Sequence, residues 1–222
     1  VQTRALKNPA SGGVFFAPSI FAPLQCFQVG GQSSAMAYTN FESVHPGIHG
    51  YTLRMFSSSQ AQILDYSPFL SRLIERHPDW LEALRASGRL ENTSSPTAEP
   101  LNALIEKHGL DPALRQFRNQ EMMRLIWRDL NELAAVDEIL ADLSTLADLC
   151  LQAAAGFHSL VHEEKHGVPR NPEGRPQKII IVGLGKLGGR ELNLSSDVDI
   201  IFCFPEQGFC DGTRSLANEQ FF

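Results

Sequence analysis

The tetrapeptide Ser196-Asp197-Val198-Asp199 places two carboxylates two residues apart at the head of an apolar run, Ile200–Phe204. In extended chain, residues i and i+2 face the same side, so Asp197 and Asp199 are expected to project together. Adjacent carboxylates repel one another. A divalent cation relieves that repulsion, and hard cations such as Mg²⁺ take carboxylate and phosphate oxygens as ligands. Just upstream, the apolar stretch Ile179–Val182 runs into Gly183-Leu184-Gly185-Lys186-Leu187-Gly188-Gly189. Glycines beside a metal-binding Asp-x-Asp point to chemistry on nucleoside phosphates.

The glycine run fits some elements better than others. Gly183, Gly185 and Gly188 satisfy the dinucleotide-binding spacing, but that fold needs a crossover of roughly a dozen residues before the next parallel strand. Only Arg190–Ser196 separates Gly189 from Asp197, and the acids open the second strand where that fold would close it. An ATPase-type phosphate loop needs Gly-Lys followed by Ser or Thr, and Leu187 follows Lys186 here. The arrangement that remains is strand, glycine turn, short helical linker, then a strand carrying Asp-x-Asp. That is the pattern of polymerase-β-like nucleotidyltransferases. In it, Gly188 and Gly189 let the backbone approach nucleotide phosphates closely. Asp197 and Asp199 are the catalytic, metal-holding pair for Mg²⁺ or Mn²⁺, and Ser195 and Ser196 are further candidates to contact phosphate or metal-bound water. A serine ahead of a strand also commonly caps or turns the chain.

The elements that must position these groups divide the chain of 222 residues into three parts. Residues 1–60 carry only Arg4, Lys7, Glu42 and Arg54 as charges, with abundant Gly, Pro, Ser and Phe and no sustained periodicity. They read as an irregular or disordered segment, with Phe15, Phe16 and Phe21 as possible docking groups. Residues 61–166 read as a helical domain in which acids outnumber bases. Ser67-Pro68 is a cap followed by a first-turn proline, and His77-Pro78 breaks that helix before another starts at Asp79. The segment from Gly88 to Pro100 reads as a loop. Asp111-Pro112 opens a helix with Leu114, Phe117, Met122, Leu125, Ile126 and Leu133 near one face. A third long helix starts near Asp137, carries Ile139, Leu140, Leu143, Leu146, Leu149 and Cys150 as its stripe, and stops by Gly167-Val168-Pro169. The arginines Arg115, Arg118, Arg124 and Arg128, interleaved with Glu121, Asp129 and Glu132, read as a solvated helix face. His158, His162 and His166 share a helical face, but Glu163, Glu164 and Lys165 mark an exposed helix end where histidines favour the dipole. Residues 167–222 hold a Pro/Gly linker and then the α/β part. The fold class expected is α+β: a helical N-terminal region followed by the start of a nucleotidyltransferase domain.

Composition narrows the partners. The net charge of −6 disfavours a dedicated nucleic-acid binder. The four cysteines, Cys26, Cys150, Cys203 and Cys210, show no paired spacing, which suits reduced thiols in the cytoplasm, with Cys203 as a buried small hydrophobe. The apolar residues 13–27 are interrupted by Pro18 and Pro23, which weakens a signal-peptide reading. No apolar run in the sequence approaches the ~20 residues of a bilayer span, so no membrane is expected. Val1 at the start and Gln220-Phe221-Phe222 at the end, without turn or cap, read as a fragment of a longer protein.

The segment GLGKLGGRELNLSSDVDIIFCFPEQG closely resembles the signature of the glutamine synthetase adenylyltransferase/adenylyl-removing enzyme family. SPFLSRLIERHPDWL, LRQFRNQEMMRLIWRDL and LADLSTLADLCLQAA resemble it too, so the likeness covers Ser67 to Phe222. Members carry two related nucleotidyltransferase units. The resemblance implies that one unit removes AMP from a tyrosine of glutamine synthetase by phosphorolysis, releasing ADP, while the other transfers AMP from ATP to it. It further implies glutamine and a PII signalling protein as regulators. ELNLSSDVD with FCFPEQG and SLANEQFF resembles the N-terminal, adenylyl-removing unit; the transferring unit of the same family is the alternative. The family's third metal carboxylate lies in a later segment resembling VDxRLRP, so the chain as given is expected to be inactive alone. Two other readings are a nucleotidyltransferase acting on a small molecule or an RNA end, and a helical interaction module with a vestigial catalytic unit. The acidic helical region disfavours RNA, and the pair Asp197 and Asp199 disfavours vestige.

Overall fold

The computed structural model describes residues 63–222. The irregular segment assigned to 1–60, with Phe15, Phe16, Phe21 and Cys26, lies outside the described residues.

Local signals account for most helix boundaries. After a 3-10 turn, Ile63–Tyr66, the Ser67 hydroxyl accepts the Leu70 N–H at 3.2 Å and Pro68 occupies the first turn of α1, Pro68–Arg76. His77 ends α1 and precedes α2, Pro78–Ala86, and its ring stacks on Trp80 at 3.7 Å between centroids. α3, Ala98–His108, begins inside the segment expected to be a loop. Its Pro100 sits in the first turn, where an amide proton would have no helical acceptor, so proline does not forbid a helix there. Gly109, at φ +78°, ends α3 and leads directly into α4, Leu110–Leu130. α5, Val136–His166, is the long helix expected, and it stops at Gly167.

α4 is the centre of the helical part. It packs against α1, α2, α3 and α5, and Glu121 to Arg128 are all buried. Phe117, Met122, Leu125, Ile126 and Trp127 join Ile139, Leu143, Leu146, Ala147 and Cys150 of α5 in one core. Among the described helices only α5 is long and apolar enough to cross a membrane by length and composition, contrary to the expectation from sequence. Its first half supplies this core instead. Burial pushes the Cys150 thiol up to about 12, so it stays protonated and unreactive.

The arginine face expected to be solvated is, for Arg124 and Arg128, fully buried. Between Glu121 and Arg128 the helix has no solvent face to offer, so these charges are matched internally. Glu121 accepts from Arg89 at 2.8 Å and from Arg124 Nε at 2.8 Å, and Arg124 Nη2 donates to Asp142 of α5 at 2.8 Å. Arg128 donates to the Leu90 and Leu133 carbonyls and to Glu138. Arg115 is exposed and Arg118 half-buried.

Beyond α5 the secondary structure is sparse. β1, Pro169–Arg170, pairs antiparallel with β4, Phe209–Cys210; β2, Ile180–Gly183, pairs antiparallel with β3, Ile200–Cys203. A four-residue helix α6, Gly185–Gly188, follows β2, and α7, Asn218–Phe221, closes the described chain. Helix-rich with a few small strands, the architecture is α+β. Cys203 is half-buried, less than its strand context implies. In the β2–β3 ladder Val182 faces Ile201 and Gly183 faces Ile200. Ile200 packs on the helical core while Ile180, Val182 and Leu184 are exposed, so one sheet face is held against the helices and the other is open.

Arg124→Ala should destabilise the protein by about 3–5 kcal/mol, because the Asp142 carboxylate would stay buried without its cation and Glu121 would keep only Arg89. Urea unfolding followed by circular dichroism measures this. Arg115→Ala, at an exposed position of the same helix, should shift the midpoint little.

Candidate functional site

The glycine turn is fastened to α5. Leu187 and Leu192 are buried in the helical core. The Leu192 N–H donates to the Ser144 hydroxyl at 3.3 Å, and that hydroxyl donates to the Leu140 carbonyl at 2.8 Å. Arg190, in the left-handed region at φ 57°, reaches α5 with its guanidinium. It donates to Thr145 Oγ1 at 2.8 Å and to Asp148 at 3.1 Å. Two apolar anchors and one cation therefore fix where the turn lies before the aspartates begin.

Asp197 and Asp199 are both exposed, whereas Val198 and Ile200 pack against the core. The alternation follows from extended backbone with one side buried. The regular ladder begins only at Ile200, four residues later than the expected start at Ser196. β2 bends away into α6 after Gly183, leaving Ser196–Asp199 no partner strand, and a single bond from the Leu184 N–H to the Asp199 carbonyl, at 2.9 Å, prolongs the pairing.

The amides of the two candidate phosphate-binding glycines already have acceptors. Gly188 N–H donates to the Leu184 carbonyl at 3.1 Å and Gly189 N–H to the Gly185 carbonyl at 3.0 Å. A Cβ at Gly188 would lie 2.5 Å from the Gly183 carbonyl oxygen, so the turn closes on itself there. At Gly189 the nearest atoms to such a Cβ are 3.5 Å away or more, ordinary contact.

Ser195 and Ser196 belong to a turn organised by Asn193. The Asn193 side-chain oxygen accepts from Ser196 Oγ at 2.6 Å, Ser195 N–H at 3.3 Å and Ser195 Oγ at 3.4 Å. Ser196 Oγ in turn accepts from the Asn193 N–H at 3.3 Å and from Lys186 Nζ at 3.3 Å. Lys186 was not anticipated. Sequence reasoning weighed it only as the lysine of a Gly-Lys-Ser/Thr loop, whereas its hydroxyl partner, Ser196, lies ten residues on.

Two exposed carboxylates suit Mg²⁺, which binds through one or two carboxylates and takes its remaining ligands from water and substrate phosphates. Among the described residues no group of three or more His, Cys, Asp or Glu side chains is placed to hold a metal. His158, His162 and His166 do not form such a group. His166 Nδ1 donates to the Arg214 carbonyl at 2.8 Å, and the His162 ring meets the edge of Phe221. Burial, then the charges of His166, Lys165 and His158, hold the His162 imidazole below its usual pKa.

The family model described as glutamate-ammonia ligase adenylyltransferase matches residues 58–222. The chain belongs to that family. It is 41% identical over 180 residues to a bifunctional glutamine synthetase adenylyltransferase/adenylyl-removing enzyme of Thioalkalivibrio sulfidiphilus, covering 78% of this chain and 18% of that protein. It is 42% identical over 167 residues to the enzyme of the same name from Shewanella woodyi, covering 72% of this chain and 17% of that one. With the Pseudomonas putida enzyme it shares 41% identity over 169 residues, again 72% and 17%. The chain thus spans less than a fifth of the length of the curated relatives it matches.

The two glycines should respond differently to a methyl group. Gly188→Ala should lower stability by about 1–3 kcal/mol, the range for overpacking a closed site, because its Cβ meets backbone. Gly189→Ala should leave the melting temperature nearly unchanged. Differential scanning fluorimetry of both variants distinguishes the positions, and equal losses would contradict the described turn.

Proposed function

We propose that the site removes AMP from an adenylylated tyrosine of glutamine synthetase by phosphorolysis, as one unit of a bifunctional regulator of nitrogen assimilation. The observation that carries the proposal is the exposed pair Asp197 and Asp199 beside a glycine turn bearing Lys186, in a chain of this family. The printed names of the relatives supply glutamine synthetase as the protein substrate. The wording ELNLSSDVD, which resembles the adenylyl-removing unit, supports the direction.

In this reading Asp197 and Asp199 hold Mg²⁺ or Mn²⁺. The cation, when bound, offsets charge on the attacking and leaving oxygens. The other tasks fall to the chain itself. The α5 anchors keep the turn and the strand entry in one orientation, so reacting groups meet in a fixed geometry. An orthophosphate oxygen bonds to the AMP phosphorus as the bond to the tyrosine oxygen breaks; that oxygen takes up a proton, and ADP leaves. Run from ATP, the same geometry would yield AMP-tyrosine and pyrophosphate. The reaction takes place in the cytoplasm, under control of glutamine and a PII signalling protein acting elsewhere on the full-length enzyme.

The test uses the full-length protein with Asp197→Asn. Modified glutamine synthetase plus inorganic phosphate should yield ADP about 10²–10³ times more slowly, the usual loss when a group stabilising transition-state charge is removed. Labelling of unmodified glutamine synthetase from ATP should persist. The reverse outcome, labelling lost and ADP release kept, would assign the site to the transferring unit. Near-normal rates in both directions, with the fold intact, would remove Asp197 from the site.

A further inference from the structure

We infer that Lys186 is the phosphate-binding group of this site, and that Asn193 and Ser196 are the positioning residues that aim it. The inference rests on the reading that the site handles adenine nucleotides, and it names which phosphate is held and by what.

The Asn193 side-chain amide and the first amides of α6 are neutral donors, and Lys186 is the cation of the turn that faces solvent. A phosphate needs donors or positive charge. The Gly188 and Gly189 N–H groups donate within the turn, to Leu184 and Gly185. The Ser195 and Ser196 N–H groups donate to Asn193, through its side-chain oxygen and its carbonyl. A serine hydroxyl has a single proton to give, and that of Ser196 goes to Asn193 Oδ1 at 2.6 Å. Arg190 is turned away, onto Thr145 and Asp148 of α5. An ammonium carries three donors, and Lys186 Nζ has one of them on Ser196 Oγ at 3.3 Å. The other two are available at an exposed position, with Ser196 the residue just ahead of Asp197.

The network also explains why Asn193 matters. Its N–H and side-chain oxygen hold Ser196 Oγ with the lone pair presented to Lys186. A flexible four-carbon stem is thereby tethered to Ser196, which lowers the ordering cost on binding an anion. The ligand is free orthophosphate, which phosphorolysis turns into the terminal phosphate of ADP. The α-phosphate of AMP, which the aspartate side would hold, is not the group Lys186 takes.

The experiment compares wild type, Lys186→Met, Lys186→Gln, Lys186→Arg and Asn193→Ala in the full-length protein. Inorganic phosphate, AMP and ADP are titrated separately with Mg²⁺ by calorimetry, and KM and kcat for phosphate are measured in the ADP-release reaction. Lys186→Met and Lys186→Gln should weaken one ADP site and raise KM for phosphate by about tenfold to a hundredfold, the usual worth of a charged hydrogen bond. AMP affinity and melting temperature should stay as in wild type. Lys186→Arg should restore most of the loss. Asn193→Ala should raise KM for phosphate while kcat changes little, which a purely structural turn residue would not do. Unchanged affinity for both phosphate and ADP in the folded Met or Gln variant overturns the inference. An equal loss for AMP overturns the assignment to the terminal phosphate. A wild-type protein that releases no ADP would count against phosphorolysis, and the same variants would then be read through KM for ATP in the labelling reaction. The two ideas therefore fail separately.

Discussion

The ion pair between Arg124 of α4 and Asp142 of α5, buried at both ends, is the constraint on which the rest depends. Desolvating two charges costs several kcal/mol per ion, and only good geometry with further hydrogen bonds offsets it. Arg124 therefore tolerates one register of α5 against α4, with Glu121 taking its other edge and Arg89 balancing Glu121. A greasy interface alone would allow sliding at little cost. Asp142 precedes Ser144, Thr145 and Asp148, the residues that hold the glycine turn, by two, three and six positions on the same helix. Fixing Asp142 fixes those three, and through them the turn.

From the turn the positioning passes outward by alternation. Leu187 and Leu192 fill the core, Arg190 reaches α5 between them, and Val198 and Ile200 seat the strand entry. With Val198 held inward, Asp197 and Asp199 have no choice but to face out. The carboxylates need no binding partner of their own in the scaffold, because the residues between them determine their direction. Such a site tolerates change at the exposed positions without loss of fold, while changes at Leu192 or Ser144 would move it.

What the sequence disclosed, and what it hid, follows the range of each interaction. Ser67-Pro68, His77-Pro78 and Gly167 act within a few residues, and each boundary falls where these residues place it. The pair Asp197 and Asp199 and its common side were legible because period two is local. α3 was hidden by Ser, Thr and Pro before it, and Pro100 looked like a breaker although a first turn accepts it. Arg124 and Arg128 were misread because a spacing of charges along a helix does not reveal whether the helix has a solvent face at all. Lys186 was hidden because its partner, Ser196, lies ten residues on and is brought to it by the turn, whereas Asn193 makes a local contact three residues long that the serines' capping role masked.

The open face of the β2–β3 ladder bears on that chemistry. Register and alternation put Ile180, Val182 and Leu184 on the same side as Ile201, Cys203 and Asp199. The carboxylates thus emerge at the end of an apolar wall, with Lys186 across the turn from them. Charges beside apolar surface are less screened than charges ringed by water, and their interactions strengthen as a bound substrate excludes solvent. An apolar wall supplies no hydrogen bonds that would compete for phosphate oxygens. Under the proposed function, recognition would fall to the few groups at its rim, two negative and one positive. The labour would divide accordingly, with the carboxylates holding a cation and Lys186, tied to Ser196, holding the anion's far oxygens.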